Sequence, residues 1–398
     1  MRNRETGSEY HMTIVGGLGH VGLPLGLTFA GEGLRVCLYD LNERAAQVVR
    51  SGVMPFIEYG AELILREVLN KGNLIISRDM RDISRSRYVV IAIGTPVDEY
   101  LNPKTRQFLD EFRKIADYLT GKHTVIVRSS VYPNTCTQMA SVLGDKKVSI
   151  AYCPERIVQG YAVKELKELP QIVAGLTDEA VEDAADLFSI ISPKIIRTSM
   201  KEAELTKLFS NAWRYVQFAV ANQFYMTCQK FGADYDRVRY AMTEGYGRAA
   251  NLPGAGFAAG PCLLKDTMQL ASFESNNFLL GHAAMMINEG LPNFIVESLR
   301  AKYDLSKKRI GILGMAFKAD IDDIRDSLSY KLGKILRFHG AEVYYSDEYA
   351  KDPTFVSKEE LVAKCDVLIV GVPHSQYKQL KVPGEKVVCD LWHVLSRN

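Results

Sequence analysis

Residues 12–26 read MTIVGGLGHVGLPLG, a short apolar run that leads directly into a cluster of glycines. Gly17, Gly19 and Gly22 have the GxGxxG spacing, in which glycines allow a tight turn between a strand and a helix and let a pyrophosphate reach the positive helix N-terminus. An amphipathic stretch and a second apolar run at residues 34–39 follow. The segment therefore predicts a β-α-β unit that binds a dinucleotide.

Asp40, eighteen residues after Gly22, ends the second predicted strand. A carboxylate at this place accepts hydrogen bonds from both ribose hydroxyls and repels a 2′-phosphate, which favours NAD over NADP. Arg44 lies close by and would weaken that discrimination. The other interpretation, a glycine turn with an incidental acid, is disfavoured by the placement of Asp40 at the end of the strand.

The composition is that of an ordinary globular protein of two or three domains, with 398 residues, 24% charged and 47% hydrophobic. A formal net charge of +2 gives no field suited to nucleic acid. The seven cysteines are scattered without a CxxC pair, which favours a reducing cytoplasm over a secreted disulfide framework. We expect a soluble, untargeted cytoplasmic protein without a metal, nucleic-acid or membrane partner.

Strand and helix patterns alternate through residues 1–200 and again through residues 304–398, whereas long helices without strands fill residues 201–303. The predicted fold is therefore α/β, with two Rossmann-like parallel-sheet domains joined by a central helical domain. In the first part, the strand-like runs are residues 88–93, 124–128 and 148–152, and the helical runs include residues 61–70 and 109–119.

Several further segments carry polar residues in a recognisable order. They are GGLGHVG (16–22), IGTPVDE (93–99), RSSVYPNT (128–135), CPERIVQG (153–160), EAELTKLFSNAW (202–213), GPCLLKD (260–266) and GMAFKADIDDIRDS (314–327). In this order they resemble the UDP-glucose and UDP-N-acetylhexosamine 6-dehydrogenase family, from residue 12 to nearly the C-terminus. The resemblance implies an N-terminal domain for NAD, a central domain that forms a homodimer or higher homo-oligomer, and a C-terminal domain for UDP.

Cys262 follows a glycine-rich loop, and Lys265 and Asp266 come three and four residues later, so a helix that starts there brings all three together. A cation beside a thiol favours the thiolate. The resemblance implies that Cys262 is the nucleophile, which forms a thiohemiacetal with the C6 aldehyde and then a thioester. A buried structural cysteine is the other interpretation, and it is the default for the remaining six.

Lys207 and Asn211 are spaced i, i+4 on the long helix and share a face. The resemblance implies that Lys207 steadies an oxyanion or the catalytic water, that Asn211 contacts the sugar and that Asp266 supports the same water. Glu155 corresponds to a glutamate that relatives use around thioester hydrolysis, which makes it a candidate base. Ser130 stands where relatives usually carry threonine and would orient the water.

By the same resemblance, Lys318 reaches the nucleotide sugar, Arg325 the cofactor, and Arg248 the sugar phosphate from a partner subunit, although all three would otherwise be ordinary surface charges. The remaining implied cofactor contacts are His20, Val21, Thr95 and Lys265. The remaining implied substrate contacts are Arg156, Phe257 and Gly260.

The sugar is the open point of this interpretation. GFAAGPC (256–262) departs from the GFGGxC of many relatives, Arg156 in CPERIVQG is typical of the N-acetylhexosamine type, and the Cys-x-x-Lys-Asp arrangement is the glucose type. We expect a four-electron oxidation of UDP-glucose with two NAD, and the same reaction on UDP-N-acetylmannosamine or UDP-N-acetylglucosamine as the alternative. A two-electron β-hydroxyacid or phosphogluconate-type dehydrogenase and an inactive nucleotide-binding regulatory protein are the rival classes.

Overall fold

The computed structural model describes residues 8–395, and these form two compact units. The first unit ends at Phe209 and the second begins at Ser210. Both residues belong to one helix of 32 residues, α8 (Met200–Phe231). The division into three domains, with boundaries after residues 200 and 303, stays a prediction.

The first unit is built on an eight-stranded sheet in the order β3-β2-β1-β4-β5-β6-β7-β8. The strands are β1 (Tyr10–Val15), β2 (Val36–Tyr39), β3 (Leu74–Ser77), β4 (Ser86–Ile91), β5 (Thr124–Val127), β6 (Ser149–Tyr152), β7 (Gln171–Gly175) and β8 (Ile195–Arg197). The helices are α1 (Gly22–Gly31), α2 (Glu43–Arg50), α3 (Ala61–Asn70), α4 (Thr105–Ala116), α5 (Thr135–Leu143), α6 (Ala162–Glu168) and α7 (Asp178–Phe188), with a 3-10 helix at Met80–Arg85.

The strand order reverses between β1 and β4, which are neighbours in the sheet but not in the chain. In doubly wound sheets a ligand binds at this reversal, outside the carboxyl ends of the strands. All neighbours in the sheet are parallel except β6 and β7, where Ala151 pairs with Gly175 in an antiparallel register. The expected parallel α/β fold is confirmed, and the reversed strand β7 is a feature that the sequence pattern did not predict.

The second unit contains a four-stranded parallel sheet in the order β10-β9-β11-β12. The strands are β9 (Arg309–Leu313), β10 (Glu342–Ser346), β11 (Val367–Val370) and β12 (Val387–Asp390). The helices after α8 are α9 (Tyr235–Thr243), α10 (Leu263–Phe273), α11 (Leu279–Arg300), α12 (Leu328–Phe338) and α13 (Lys358–Lys364), with 3-10 helices at Leu305–Lys307 and Ser375–Gln379.

Both sheets are buried on both faces, as parallel sheets require. In the first unit Val90 and Ile126 pack into one core cluster, while Val89 and Val125 pack into another on the opposite face. The strands therefore read as continuous apolar runs rather than as alternating ones. Among residues 8–395, no helix has the length and apolar character needed to cross a membrane.

The turn from β1 into α1 depends on its glycines. A Cβ atom on Gly22 would lie 2.3 Å from the carbonyl oxygen of Gly16, and one on Gly17 would lie 2.8 Å from the carbonyl oxygen of Ile14. Real Cβ atoms do not approach backbone atoms so closely. At Gly19 the same test gives 3.6 Å, an ordinary contact. Two of the three motif glycines are therefore required by packing, and Gly19 is not.

We expect Gly22→Ala to lower the free energy of unfolding by roughly 1–3 kcal/mol, because the added methyl group meets rigid backbone. Gly19→Ala, in the same turn, is the matched control and should leave stability nearly unchanged. Thermal and urea unfolding of the two variants beside the wild type measure the difference. Equal stability of both variants would contradict the tight packing of this turn.

Candidate active site

The predicted site residues of the first unit gather at one edge of its sheet. The glycine turn follows β1, Asp40 follows β2, Thr95 follows β4, Ser130 follows β5 and Glu155 follows β6. Because parallel strands end at the same edge, segments far apart in sequence meet there. The order reversal between β1 and β4 lies at the centre of this edge.

The N-terminus of α1 has the features of an anion-binding site. Val21 occupies the N-cap position without a capping side chain, and the first turn carries no acidic residue. Helix N-terminal N–H groups that are not capped by a side chain attract phosphate. An uncapped helix N-terminus beside tightly packed glycines is the arrangement that binds a dinucleotide pyrophosphate. The residues of this turn therefore fit NAD. His20, in the turn itself, packs against the Phe56 ring at 4.0 Å.

Asp40 is half-buried and already braces the turn. Its Oδ2 accepts a hydrogen bond from the N–H of Leu18 (3.0 Å), and its Oδ1 accepts one from the N–H of Asn42 (3.0 Å). The remaining lone pairs of the carboxylate are the ones that ribose hydroxyls would use. Arg44, in the first turn of α2, is exposed and close in sequence to this acid.

Glu155 is buried in an ion pair with Arg128, a contact that sequence reasoning missed. Arg128 is only 1% exposed and follows β5 directly. One of its nitrogens contacts Glu155, and another donates to the carbonyl of Cys153 (3.1 Å) and to Oε1 of Gln171 (2.8 Å). The second carboxylate oxygen of Glu155 accepts from the N–H of Ile157 (2.5 Å). The carboxylate is therefore engaged on both oxygens.

The reversed strand β7 explains this cluster. Because β7 runs antiparallel to β6, its first residue, Gln171, lies at the edge where β5 and β6 end. Arg156, predicted to bind substrate, donates to the carbonyl of Pro170 in the same cluster. Ser130 is half-buried beside Ser129, whose hydroxyl donates to the carbonyl of Ile93 (2.7 Å).

Lys207 is buried, 8% exposed, and lies one helical turn before Asn211 on α8, as the spacing predicts. Glu204, on the same helix, is a functional neighbour that sequence reasoning missed. Its carboxylate accepts from the N–H groups of Asn134 (2.7 Å) and Cys136 (3.2 Å) and so caps the start of α5. This acid anchors the beginning of α8 to the segment that carries Ser130.

Cys262 is the N-cap residue of α10 and the only cysteine of the seven that is exposed. Burial raises the pKa of Cys37, Cys153 and Cys389 to about 12 and that of Cys365 to about 11, which keeps those thiols protonated. The predicted helix start at this position is confirmed. An exposed thiol at a helix N-terminus has the surroundings of a reactive cysteine.

Asp266 lies one turn into α10 and is fully buried. Its Oδ2 accepts a hydrogen bond from Nδ2 of Asn211 (2.6 Å), so the structure brings together these two predicted residues. Its Oδ1 lies 3.5 Å from Nζ of Lys265. The N–H of Asp266 donates to the carbonyl of Cys262 (2.8 Å), which links the acid to the thiol through one helical turn.

Arg325 supplies the positive charge near the thiol. Its Nε and one terminal nitrogen donate to the buried carboxylate of Asp323 at 3.0 and 2.6 Å. This pairing raises the pKa of Arg325, and the Cys262 thiolate contributes in the same direction. Sequence reasoning assigned Arg325 to the cofactor, and that role stays a prediction; a positive charge in the neighbourhood of a thiol favours the thiolate.

The loop before Cys262 is held by a buried amide network. Asn222 of α8 bonds the N–H (2.8 Å) and the carbonyl (3.0 Å) of Gly256, and its amide donates to Oδ1 of Asn288 (2.9 Å). A Cβ on Gly256 would lie 2.0 Å from the Trp392 ring, and one on Gly260 would lie 2.6 Å from the Phe317 ring. Both glycines are therefore required by neighbouring aromatic rings.

The other substrate residues predicted in the second unit differ in burial. Phe257 is 7% exposed and packs in the core cluster of the C-terminal sheet, so it anchors the loop. Lys318 is half-buried on the loop that follows β9, and Arg248 is exposed with its guanidinium 5.2 Å from the Tyr246 ring centre. Their contacts with substrate stay predictions. Within residues 8–395, no group of His, Cys, Asp or Glu is placed to hold a metal ion.

A buried Asp–His pair stabilises the turn after β9, which corresponds in the small sheet to the turn after β1 in the large one. Asp347 follows β10, and its Oδ2 accepts from the N–H groups of Met315 (2.6 Å) and Ala316 (2.9 Å) and from Nε2 of His374 (3.0 Å). Nδ1 of His374 accepts from the N–H of Asp320 (2.9 Å), which leaves the proton on Nε2. The pair holds the loop that carries Lys318.

Comparison with known proteins identifies all three segments of the chain. Residues 11–191 match the NAD binding domain of the UDP-glucose/GDP-mannose dehydrogenase family, residues 201–289 its central domain, and residues 311–397 its UDP binding domain. The chain belongs to this family. It is thus an NAD-dependent dehydrogenase of nucleotide sugars, which confirms the family and the cofactor predicted from sequence.

Individual relatives refine the comparison. The UDP-N-acetyl-D-mannosamine dehydrogenase of Pyrococcus horikoshii is 30% identical over 92% of this chain and 90% of that protein. A solved structure of the UDP-D-ManNAc dehydrogenase from Pyrococcus horikoshii gives a TM-score of 0.88 at 28% identity, over 97% of this chain and 96% of that one. A UDP-glucose dehydrogenase from Pyrobaculum islandicum gives 0.89 at 26% identity, over 98% and 96%. The two solved structures are thus named for different sugars, N-acetylmannosamine and glucose.

Acid stability tests the Asp347 pair. Burial disfavours the charge of Asp347, but the hydrogen bonds from His374 and the backbone outweigh it and lower the pKa of the carboxyl to about 2 from 3.8. A carboxyl whose pKa is depressed on folding stabilises the native state above pH 4 and loses that contribution as pH falls toward 2.

We therefore expect Asp347→Asn to cost about 2 kcal/mol at pH 7 and progressively less below pH 4. Urea unfolding of both proteins from pH 2.5 to 7 gives the two curves. Asp110→Asn, a change on the exposed face of α4, is the control and should match the wild type throughout. A deficit in Asp347→Asn that is independent of pH would refute the assignment.

Proposed function

We propose that the protein oxidises the C6 hydroxymethyl group of UDP-N-acetyl-D-mannosamine to a carboxylate in a four-electron reaction. The observation that carries this proposal is the exposed thiol of Cys262, close to the Arg325 guanidinium and one helical turn from the buried carboxylate of Asp266. An alcohol dehydrogenase that stops at the aldehyde needs no nucleophile. A thiol at the reacting carbon allows the aldehyde to be oxidised further without release.

In this mechanism the first oxidation gives the C6 aldehyde, and the Cys262 thiolate attacks its carbonyl carbon to form a thiohemiacetal. The second oxidation gives a thioester, and water then adds to that carbon and expels the thiolate, leaving the carboxylate. NAD, when bound, accepts one hydride in each oxidation. Lys207 and Asn211 donate hydrogen bonds to the C6 oxygen as negative charge develops on it, and Asp266 accepts a proton from the attacking water.

The residues that would hold NAD are those at the sheet edge of the first unit. The turn that contains Gly17, Gly19, Val21 and Gly22 would receive the pyrophosphate, and Asp40 would accept hydrogen bonds from the ribose hydroxyls. Arg44, His20, Thr95, Lys265 and Arg325 are the further proposed contacts. Among the substrate residues, Lys318, Arg248, Arg156, Phe257 and Gly260 are proposed to shape the UDP-sugar pocket.

The role of Glu155 follows from its ion pair. Asp266 has one carboxylate oxygen that accepts no hydrogen bond from the described part of the chain, whereas both oxygens of Glu155 are engaged by Arg128 and the N–H of Ile157. We therefore assign water activation to Asp266 first, with Ser130 orienting the water, and keep Glu155 as the second candidate. In its observed position Glu155 fixes the edge of the sheet.

The choice of sugar rests on the relatives and on one residue of the chain. The relative from Pyrococcus horikoshii and another of 26% identity from Campylobacter jejuni are both named UDP-N-acetyl-D-mannosamine dehydrogenase. Arg156 follows the proline-glutamate pair, as is typical of the N-acetylhexosamine type. The Cys-x-x-Lys-Asp arrangement points to glucose instead, and UDP-glucose is therefore the comparison substrate in the test.

The test is the stoichiometry of oxidation. Purified protein with NAD should form two NADH per sugar acid from UDP-N-acetylmannosamine, and much less from UDP-glucose or UDP-N-acetylglucosamine. Cys262→Ala should abolish acid formation, since no thioester can form. Absorbance at 340 nm and mass spectrometry of the product give the ratio. One NADH with aldehyde as product would overturn the thiol mechanism, and binding of NAD without any turnover would favour a regulatory protein.

We also propose that the protein is a homodimer. Five exposed apolar side chains repeat along α8 with spacings of four and seven residues, so they share one stripe of the helix. They are Phe209, Trp213, Val220, Phe224 and Phe231. Trp213 is 61% exposed, and a stripe of this kind is typical of a surface that another chain covers. We place the protein in the cytoplasm, which the absence of disulfides among its seven cysteines favours.

The double change Trp213→Glu with Phe224→Glu should shift the protein from dimer to monomer, because it places two charges in the apolar stripe. Light scattering after size exclusion gives the mass directly. Phe338→Glu is the control, since Phe338 is 84% exposed and belongs to a different helix, α12. A wild-type monomer, or a dimer that survives the double change, would remove α8 from the proposed interface.

A further inference from the structure

Gln269 of α10 presents an unusual buried amide. The residue is 1% exposed, and neither its Oε1 nor its Nε2 has a hydrogen-bond partner among residues 8–395. Asp266, one turn earlier, is likewise buried, and its Oδ1 accepts no hydrogen bond from those residues. Three buried polar atoms on neighbouring turns of α10 therefore lack a hydrogen bond within the described residues, although buried polar groups normally have one.

Helical geometry places Asp266 and Gln269 on the same side of α10 as Cys262. At 100° per residue, Cys262, Asp266 and Gln269 fall within about 60° on one side of α10. Side chains at i and i+3 have their Cβ atoms roughly 5–6 Å apart, close enough for one water to bridge them. Thr267 lies on the opposite side, where its methyl group packs against Gly281 of α11. The side chains of Asp266 and Gln269 therefore lie on the side of α10 that carries Cys262, opposite Thr267.

Oδ1 of Asp266 and the two amide atoms of Gln269 have the donor and acceptor groups that bind a water molecule. Oδ2 of Asp266 accepts a hydrogen bond from Asn211, whereas Oδ1 accepts none from residues 8–395 and lies 3.5 Å from Nζ of Lys265. The amide of Gln269 offers both a donor and an acceptor. A water between them can donate to Oδ1 of Asp266 and accept from Nε2 of Gln269, which provides a hydrogen bond for two of these three atoms.

We propose that Asp266 and Gln269 form a built water site and that Gln269 is the positioning residue for the hydrolytic water. This inference rests on the proposed thioester mechanism. The water oxygen attacks the C6 thioester carbon while one of its protons passes to Asp266. The C–S bond then breaks, the electron pair leaves with the Cys262 thiolate, and the new carboxylic acid releases its proton to solvent. Gln269 holds the oxygen lone pair toward the thioester carbon.

The test uses Gln269→Met, which keeps the length of the side chain and removes both polar atoms. Hydrolysis follows both oxidations, so this variant should give a normal burst of two NADH per active site and then a steady state slowed roughly 10- to 100-fold. Acid quenching and intact mass spectrometry should show an acyl adduct on Cys262. Hydroxylamine, an external nucleophile, should cleave the adduct and raise turnover more in the variant than in the wild type.

Gln229→Met, at an exposed position of α8, is the control and should behave as the wild type. If Gln269 were only a structural amide, Gln269→Met would keep the wild-type rate, form no adduct and keep or raise the melting temperature. That result, or a diminished burst without an adduct, overturns the water site while two NADH per acid in the wild type preserve the proposed function. Failure of the wild type to oxidise any UDP-hexose overturns both.

Discussion

Parallel pairing of the strands determines where polar functional side chains can lie in this protein. A parallel sheet is covered on both faces, so its strands are apolar throughout and their polar groups collect where the strands end. The core clusters on the two faces of the large sheet fill both layers with aliphatic side chains. The glycine turn, Asp40, Ser130 and Glu155 all lie at the carboxyl ends of strands, where the order reversal opens the edge to a ligand.

The same local constraint recurs in both sheets with different outcomes. In each, an acid at the end of the second strand accepts N–H groups from the turn after the first: Asp40 from Leu18, and Asp347 from Met315 and Ala316. Asp40 stays half-buried and retains lone pairs for a ligand. The side chain of Asp347 has no solvent-exposed surface and pairs with His374, so its contacts stabilise the fold. The same turn geometry therefore leaves one acid accessible to a ligand and buries the other.

The features that the sequence predicted are local ones. The β1 turn, the bounds of α3 and the start of α10 after Cys262 follow from glycine placement, helical periodicity and capping, which act over a few residues. The family followed from the order of several motifs. Contacts between distant segments were not predicted, because no residue near Arg128 in sequence indicates its ion pair with Glu155. The antiparallel strand β7, which brings Gln171 to this pair, depends on strand pairing across the whole sheet.

The sealing of the other thiols gives the exposed cysteine a property of its own. The thiols for which burial raises the pKa to about 11 or 12 react slowly with alkylating reagents, whereas Cys262 stands at a helix start near a guanidinium. Cys228 is half-buried, and Cys262 is the exposed thiol of the seven, so a stoichiometric electrophile reaches Cys262 most readily. The protein can therefore be labelled preferentially at one sulfur atom, and the same atom is the thiol most open to oxidants.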